Sequence, residues 1–147
     1  MRDGDTSWRA LTPVRTGSGE EQAVLATLHR LLATVAARDK AGMAELLFPD
    51  CCAVQSRDHQ VTCTPLRGFP DLMTGEATLE EQFHHPLVRV DDDIAVVWSH
   101  YDFFVDGDLH HWGTNILSFL KQDGRWRVSA IADNGRTGPR PADWDRA

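Results

Sequence analysis

Between Phe104 and Asn115 the chain reads FVDGDLHHWGTN, an Asp-Gly turn followed by two histidines, a tryptophan, a glycine, a threonine and an asparagine. The continuation, ILSFLK, is that of an ordinary half-buried strand. Side chains alternate across a strand, so Leu117 and Phe119 define its buried face. Counting back by twos places Asn115, Gly113 and His111 on that same face. One face that is apolar at one end and polar at the other describes the wall of a pocket, and Gly113 leaves room there for a ligand or a neighbouring ring. An imidazole titrates near pH ~6.5, so His111 beside a carboxylate suits proton transfer. The alternative is that His111 and Asn115 only satisfy buried backbone groups. His110, on the opposite parity, is expected at solvent or at a dimer face.

Further candidates follow from the neighbouring segments. If Asp-Gly makes a two-residue turn, Asp102 lies opposite His111 and shares its face with Trp98 and His100. A longer loop shifts the register by one and brings Ser99, Tyr101 and Phe103 inside instead. In FHHP, His85 shares parity with Phe83 and Leu87, which makes it a second proton carrier. Toward the end of the last strand, Asp133 and Arg136 are placed at the pocket rim, either pairing with each other or touching ligand. Arg57, near the end of a short strand, is a further substrate-binding candidate. No cysteine-histidine pair, serine elbow, phosphate loop or dinucleotide fingerprint is visible, so covalent and nucleotide chemistry are not indicated. No metal and no cofactor are expected.

The elements that must carry these residues are legible from periodicity. Val24, Leu25, Leu28, Leu31, Leu32 and Val35 recur at helical spacing within Glu20 to Arg38. DKAGMAELLFPD reads as a short helix with Asp39 as its cap and Pro49 as its stop. CCAVQSR suggests a short strand, and residues 58–78 read as loop with one helical turn near Pro70–Met73. The period then becomes two in EEQFHHPLVRV, IAVVWSHYDFFV, LHHWGTNILSFLK and RWRVSAIAD, separated by the turn signals DDD, DG and QDG. Helices first and a meander of strands afterwards make an α+β domain at 20–136. It is flanked by a loose arm (1–19) and an irregular tail (137–147), whose Trp144 is a candidate to fold back.

The whole chain has 147 residues and a net charge of −7 with scattered cations, which argues against nucleic-acid binding. Its apolar runs are too short for a membrane span, and the N-terminus lacks a secretory signal pattern. Cys51, Cys52 and Cys63 have no metal-type spacing, so reduced thiols and a cytoplasmic protein are expected.

The order of elements, with LLFPD, HHPLVRVDDDIAVVWSHYDFFVDG and HHWGTNILSFLKQDGRWRVSAIADNGR, resembles the NTF2-like superfamily and its SnoaL-like and lumazine-binding-like small proteins. The resemblance implies a cone: a curved antiparallel sheet wrapped around the N-terminal helices, with a pocket, commonly as a homodimer. It also inclines Tyr101 into the pocket and Trp98 to an edge or bulge. Relatives of this kind include isomerases, polyketide cyclases and dehydratases as well as non-catalytic domains. The expected function is therefore cofactor-independent acid–base catalysis on a small polyketide- or terpenoid-like substrate. His111, His85, Asp102 and Asp133 are its catalytic candidates; Asn115, Tyr101, Trp98, Arg57 and Arg136 are its binding candidates. The competing expectation is a small-molecule-binding or dimeric interaction domain.

Overall fold

The computed structural model describes residues 18–72 and 74–146; the expected N-terminal arm lies outside them except for Ser18 and Gly19, which are already helical. Helix α1 (Ser18–Ala37) buries Val24, Leu28, Leu31 and Val35 along one stripe. Thr27 and Thr34 are buried on it too, their hydroxyls donating to the carbonyls of Ala23 at 3.1 Å and Leu31 at 2.6 Å. The chain leaves α1 through Arg38 in a left-handed conformation (φ 51°), and the Arg38 guanidinium ties down the carbonyls of Ala77 and Thr74. Asp39 then caps α2 (Lys40–Glu45) by accepting from the Gly42 amide at 2.9 Å.

The strands are β1 (Cys52–Arg57), β2 (Gln60–Pro65), β3 (Leu79–Asp91), β4 (Ile94–Val105), β5 (Asp108–Gln122) and β6 (Arg125–Gly135). They form one curved, open sheet in the order β2-β1-β6-β5-β4-β3. Four of the five neighbouring pairs are antiparallel, but β1 runs parallel to β6, so the sheet is mixed. Strand β2 was expected to be loop. Its side chains are nearly all exposed, so it carries no burial alternation to read, and edge pairing alone holds it. A 3-10 helix (Leu66–Leu72) follows. Among the described residues no helix is long and apolar enough to cross a membrane.

Three bulges decide which side chains face inward. In β3 one extra residue lies between His84 and Leu87, with His85 at φ 49°. In β5 Phe103 pairs His111 while Phe104 pairs Leu109, leaving His110 unpaired. In β6 Ser118 pairs Ala130 while Phe119 pairs Val128, leaving Ser129 unpaired. Each bulge reverses the parity of everything beyond it. The inner face consequently carries Ala95, Val97, Ser99 and Tyr101 on β4, and Leu117 and Phe119 on β5, packed against α1.

The outer face is divided. Near the β4–β5 turn it is covered by residues 137–146: Trp144 lies flat on His100 (3.8 Å, 2°) and edge-on to Trp112 (4.7 Å), so the tail is irregular but docked. At the other end Leu87, Trp98, Ile116 and Val54 are exposed, and strand register sets them in one row with Ala132.

Candidate functional site

A cavity of about 210 Å³ opens between α1 and the inner face of the sheet. Leu31, Leu32 and Val35 of α1 and Met43 of α2 form one wall, and Phe83, Phe103, Leu117 and Ile131 much of the opposite one. Its polar groups are Glu81 from β3, Tyr101 from β4, His111 and Asn115 from β5, Asp133 from β6, and Gln55 and Arg57 from β1.

Asp133, 9% exposed, organises one side of the cavity. Its Oδ1 receives the Arg57 guanidinium, the Tyr101 hydroxyl at 3.2 Å and the Gly135 amide at 3.2 Å, and its Oδ2 receives Gln55 Nε2 at 2.7 Å. Both oxygens are therefore occupied by the protein, and the Arg57 charge is neutralised in place. Burial, with the negative Asp133 second, pushes the Tyr101 phenol far above its ordinary range, so it acts as a donor and not as a base. Gly135 lies close against this cluster: a Cβ there would stand 2.5 Å from Arg57 Nη1 and 2.8 Å from the Tyr101 oxygen, so those side chains would have to shift.

The other side holds two titratable groups driven toward neutrality. Burial in the apolar cavity, reinforced by Asp133 and opposed by the Asn115 hydrogen bond and by Arg57, raises the Glu81 carboxyl from 4.5 to about 7. Asn115 Nδ2 donates to Glu81 Oε1 at 3.1 Å. Burial also lowers the His111 imidazole from 6.5 to about 4, with Arg57 and His110 adding to the effect and Asp133 opposing it. His111 stacks on Phe103 (4.8 Å, 18°) and meets Tyr101 edge-on (5.6 Å, 77°). A carboxyl that ionises near neutrality and a neutral imidazole thus share one partly dry space, which is the provision acid–base catalysis needs.

The structure brings five of the nine candidates together here: His111, Asn115, Tyr101, Asp133 and Arg57. It separates the other four. His85 is exposed, because the β3 bulge breaks the parity that linked it to Phe83. Asp102 faces outward beneath the tail, 1% exposed, taking His84 Nε2 at 2.7 Å and the Arg140 guanidinium on Oδ2. The Asp-Gly turn does have two central residues, yet the unpaired His110 sets Phe103 rather than Asp102 opposite His111. Trp98 is on the outer face and 49% exposed. Arg136 lies with its guanidinium 4.9 Å from the Trp112 ring, also outside, and makes no pair with Asp133.

Glu81 and Gln55 were not anticipated. Both had a signal: Glu81 stands two residues before inward Phe83, and Gln55 shares parity with buried Ala53.

No family model matches the sequence, and no curated protein matches it. Solved structures do match in fold. A Mycobacterium tuberculosis protein of unknown function is 19% identical, with TM-score 0.70, covering 94% of this chain and 82% of its own. An NTF2-like protein of unknown function from Shewanella baltica is 16% identical, with TM-score 0.65 and coverage of 84% and 98%. A proposed dehydratase of the NTF2-like family from Streptomyces avermitilis is 13% identical, with TM-score 0.69 and coverage of 85% and 100%. The chain has the NTF2-like fold. At these identities the likeness extends to architecture and not to chemistry or subgroup.

Proposed function

We propose that this protein is a cofactor-independent acid–base enzyme, an isomerase, cyclase or dehydratase, acting on an uncharged small molecule. The observation that carries the reading is that Glu81 and His111 both open onto the same apolar-walled cavity. Glu81 takes the leading proton-transfer role expected of His111. It is the base that removes a proton from a carbon next to a carbonyl, and Asn115 holds its carboxylate in place. His111 supplies the second proton position, and Tyr101, Arg57 and Asp133 form the fixed polar wall. A cavity of about 150 Å³ accommodates benzene, so about 210 Å³ favours a single-ring polyketide- or terpenoid-like skeleton over a fused polycycle. The apolar row Leu87–Trp98–Ile116 on the outer face supports a homodimer in which a second copy covers it.

The test is deuterium wash-in next to the carbonyl of single-ring enones and β-hydroxyketones, followed by NMR in heavy water, together with loss or gain of enone absorbance. Wild-type protein accelerates exchange or dehydration with a rate that rises through about pH 7, and Glu81→Gln lowers it roughly 100-fold. Ketones that bind without any accelerated exchange would establish the non-catalytic binding reading in its place.

A further inference from the structure

His110 and His111 are sequence neighbours, and in an unbroken strand their rings would point to opposite faces. The β5 bulge removes that constraint. His110 is the unpaired residue, it is exposed, and its Nδ1 lies 2.9 Å from Nδ1 of buried His111, with the rings edge-on at 5.2 Å. Bulges recur beside active sites because they re-aim side chains in this way. Two ring nitrogens at this distance share one proton: one donates and the other accepts.

The surroundings of His111 make the pair consequential. Arg57 on β1, Asp133 on β6 and Glu81 on β3 are the charged groups that line its cavity, Tyr101 and Phe103 on β4 contact its ring, and the helices contribute only Leu31, Leu32, Val35 and Met43. Burial disfavours the imidazolium there. A neutral imidazole can accept a proton at one nitrogen without becoming charged only if it releases one from the other.

We propose that His110 is a proton conduit, exchanging protons between bulk water and His111 so that the cavity is reset without a buried imidazolium. This rests on the acid–base reading above for its purpose, though not for its geometry. When an O–H bond of an acid in the cavity breaks and His111 Nε2 takes its proton, the N–H bond at His111 Nδ1 breaks and that proton forms a new bond to His110 Nδ1. The N–H bond at His110 Nε2 then breaks and releases a proton to water. One proton enters and one leaves, both rings exchange tautomer, and neither changes charge. His110 acts through His111 and is a positioning residue.

The experiment uses full-length protein with nitrogen-15-labelled histidine and no substrate. NMR measures the water-exchange rate of the His111 ring N–H in wild type, His110→Ala and His110→Gln. Glutamine keeps a polar side chain but cannot exchange tautomers. Both variants slow the exchange at least about tenfold, and added imidazole restores it in His110→Ala. Exchange within about twofold of wild type in both variants, with no response to imidazole, overturns the proposal. Should the variants not fold, wild type alone decides: a nitrogen–nitrogen coupling appears across the hydrogen bond between His110 Nδ1 and His111 Nδ1, and its absence overturns the proposal. Failure to turn over any ketone would remove the enzyme reading and leave these outcomes as they stand.

Discussion

Replacing Glu81 by glutamine should stabilise the protein, and only above a particular pH. The carboxyl ionises near 4.5 in the unfolded chain and near 7 in the folded one, because burial penalises its charged form. Between those values the folded state binds more protons than the unfolded state, so stability falls as pH rises through the window. At about 1.4 kcal/mol per pH unit, the penalty reaches about 3 kcal/mol. Glu81 keeps partial contact with solvent, which screens the effect, and about 2 kcal/mol is the figure to expect. His111 behaves in the opposite sense: its folded value of about 4 lies below 6.5, so it contributes stability that is lost as pH falls through that range. The two slopes oppose each other, and the wild-type profile conceals both. The assay is urea unfolding of wild type and Glu81→Gln across the acid-to-neutral range, reading the difference in free energy so that every other group cancels. The difference grows from near zero at about pH 4 to about 2 kcal/mol in favour of the variant at about pH 8. His111→Gln gives the mirror image, gaining on wild type at the acid end. A Glu81→Gln difference that stays constant across the range would mean that the carboxyl titrates normally, and the site would lose its base.

Three other outcomes follow from the packing. Gly135→Ala forces a methyl to within 2.5 Å of Arg57 Nη1; it should cost about 1–3 kcal/mol by overpacking, read as a lowered midpoint of thermal unfolding. Arg140→Ala removes one of two partners of buried Asp102, whose Oδ1 already has no hydrogen-bond partner among the described residues. With Arg140 33% exposed, about 2 kcal/mol is expected rather than the larger figures of fully buried pairs, and the loosened tail should change the fluorescence of Trp144. Trp98→Lys places a charge in the middle of the outer apolar row; sedimentation should then report the 16.5 kDa chain in place of the proposed dimer, and a mass unchanged from wild type would refute the pairing of that face.

The helices, the four long strands and both hairpin turns around β4 were readable because each buries one face against the other layer, so periodicity and burial coincide. His111 and Asn115 were placed correctly for a local reason: no bulge in β5 separates them from Leu117 and Phe119, the residues that anchored the parity. His85 lies across a bulge from its anchor on one side, and Asp102 was positioned by pairing across another. A bulge leaves no mark in hydrophobic periodicity until the parity on both sides is known, which is why these two were assigned to the wrong face. The Asp133 cluster was unreadable for a different reason. Arg57 and Asp133 meet through the parallel β1–β6 pairing, a contact of 76 positions in sequence separation that no local pattern encodes.

The charge state of the cavity constrains what can occupy it. Arg57 and Asp133 cancel each other, His111 is neutral, and Glu81 is neutral below about pH 7. A charged ligand would add an uncompensated charge to apolar walls, whereas an uncharged one adds none. Above about pH 7 the ionised Glu81 brings one negative charge, and transferring a ligand proton to it moves that charge onto the ligand without creating a new one. The burial penalty that raised the carboxyl then falls on the ligand anion, so the proposed step is favoured only as far as the Tyr101 hydroxyl or the Asn115 amide can donate to that anion. For the same reason the destabilisation predicted at Glu81 and the base strength assigned to it are one quantity, and a protein in which the first were absent would lack the second.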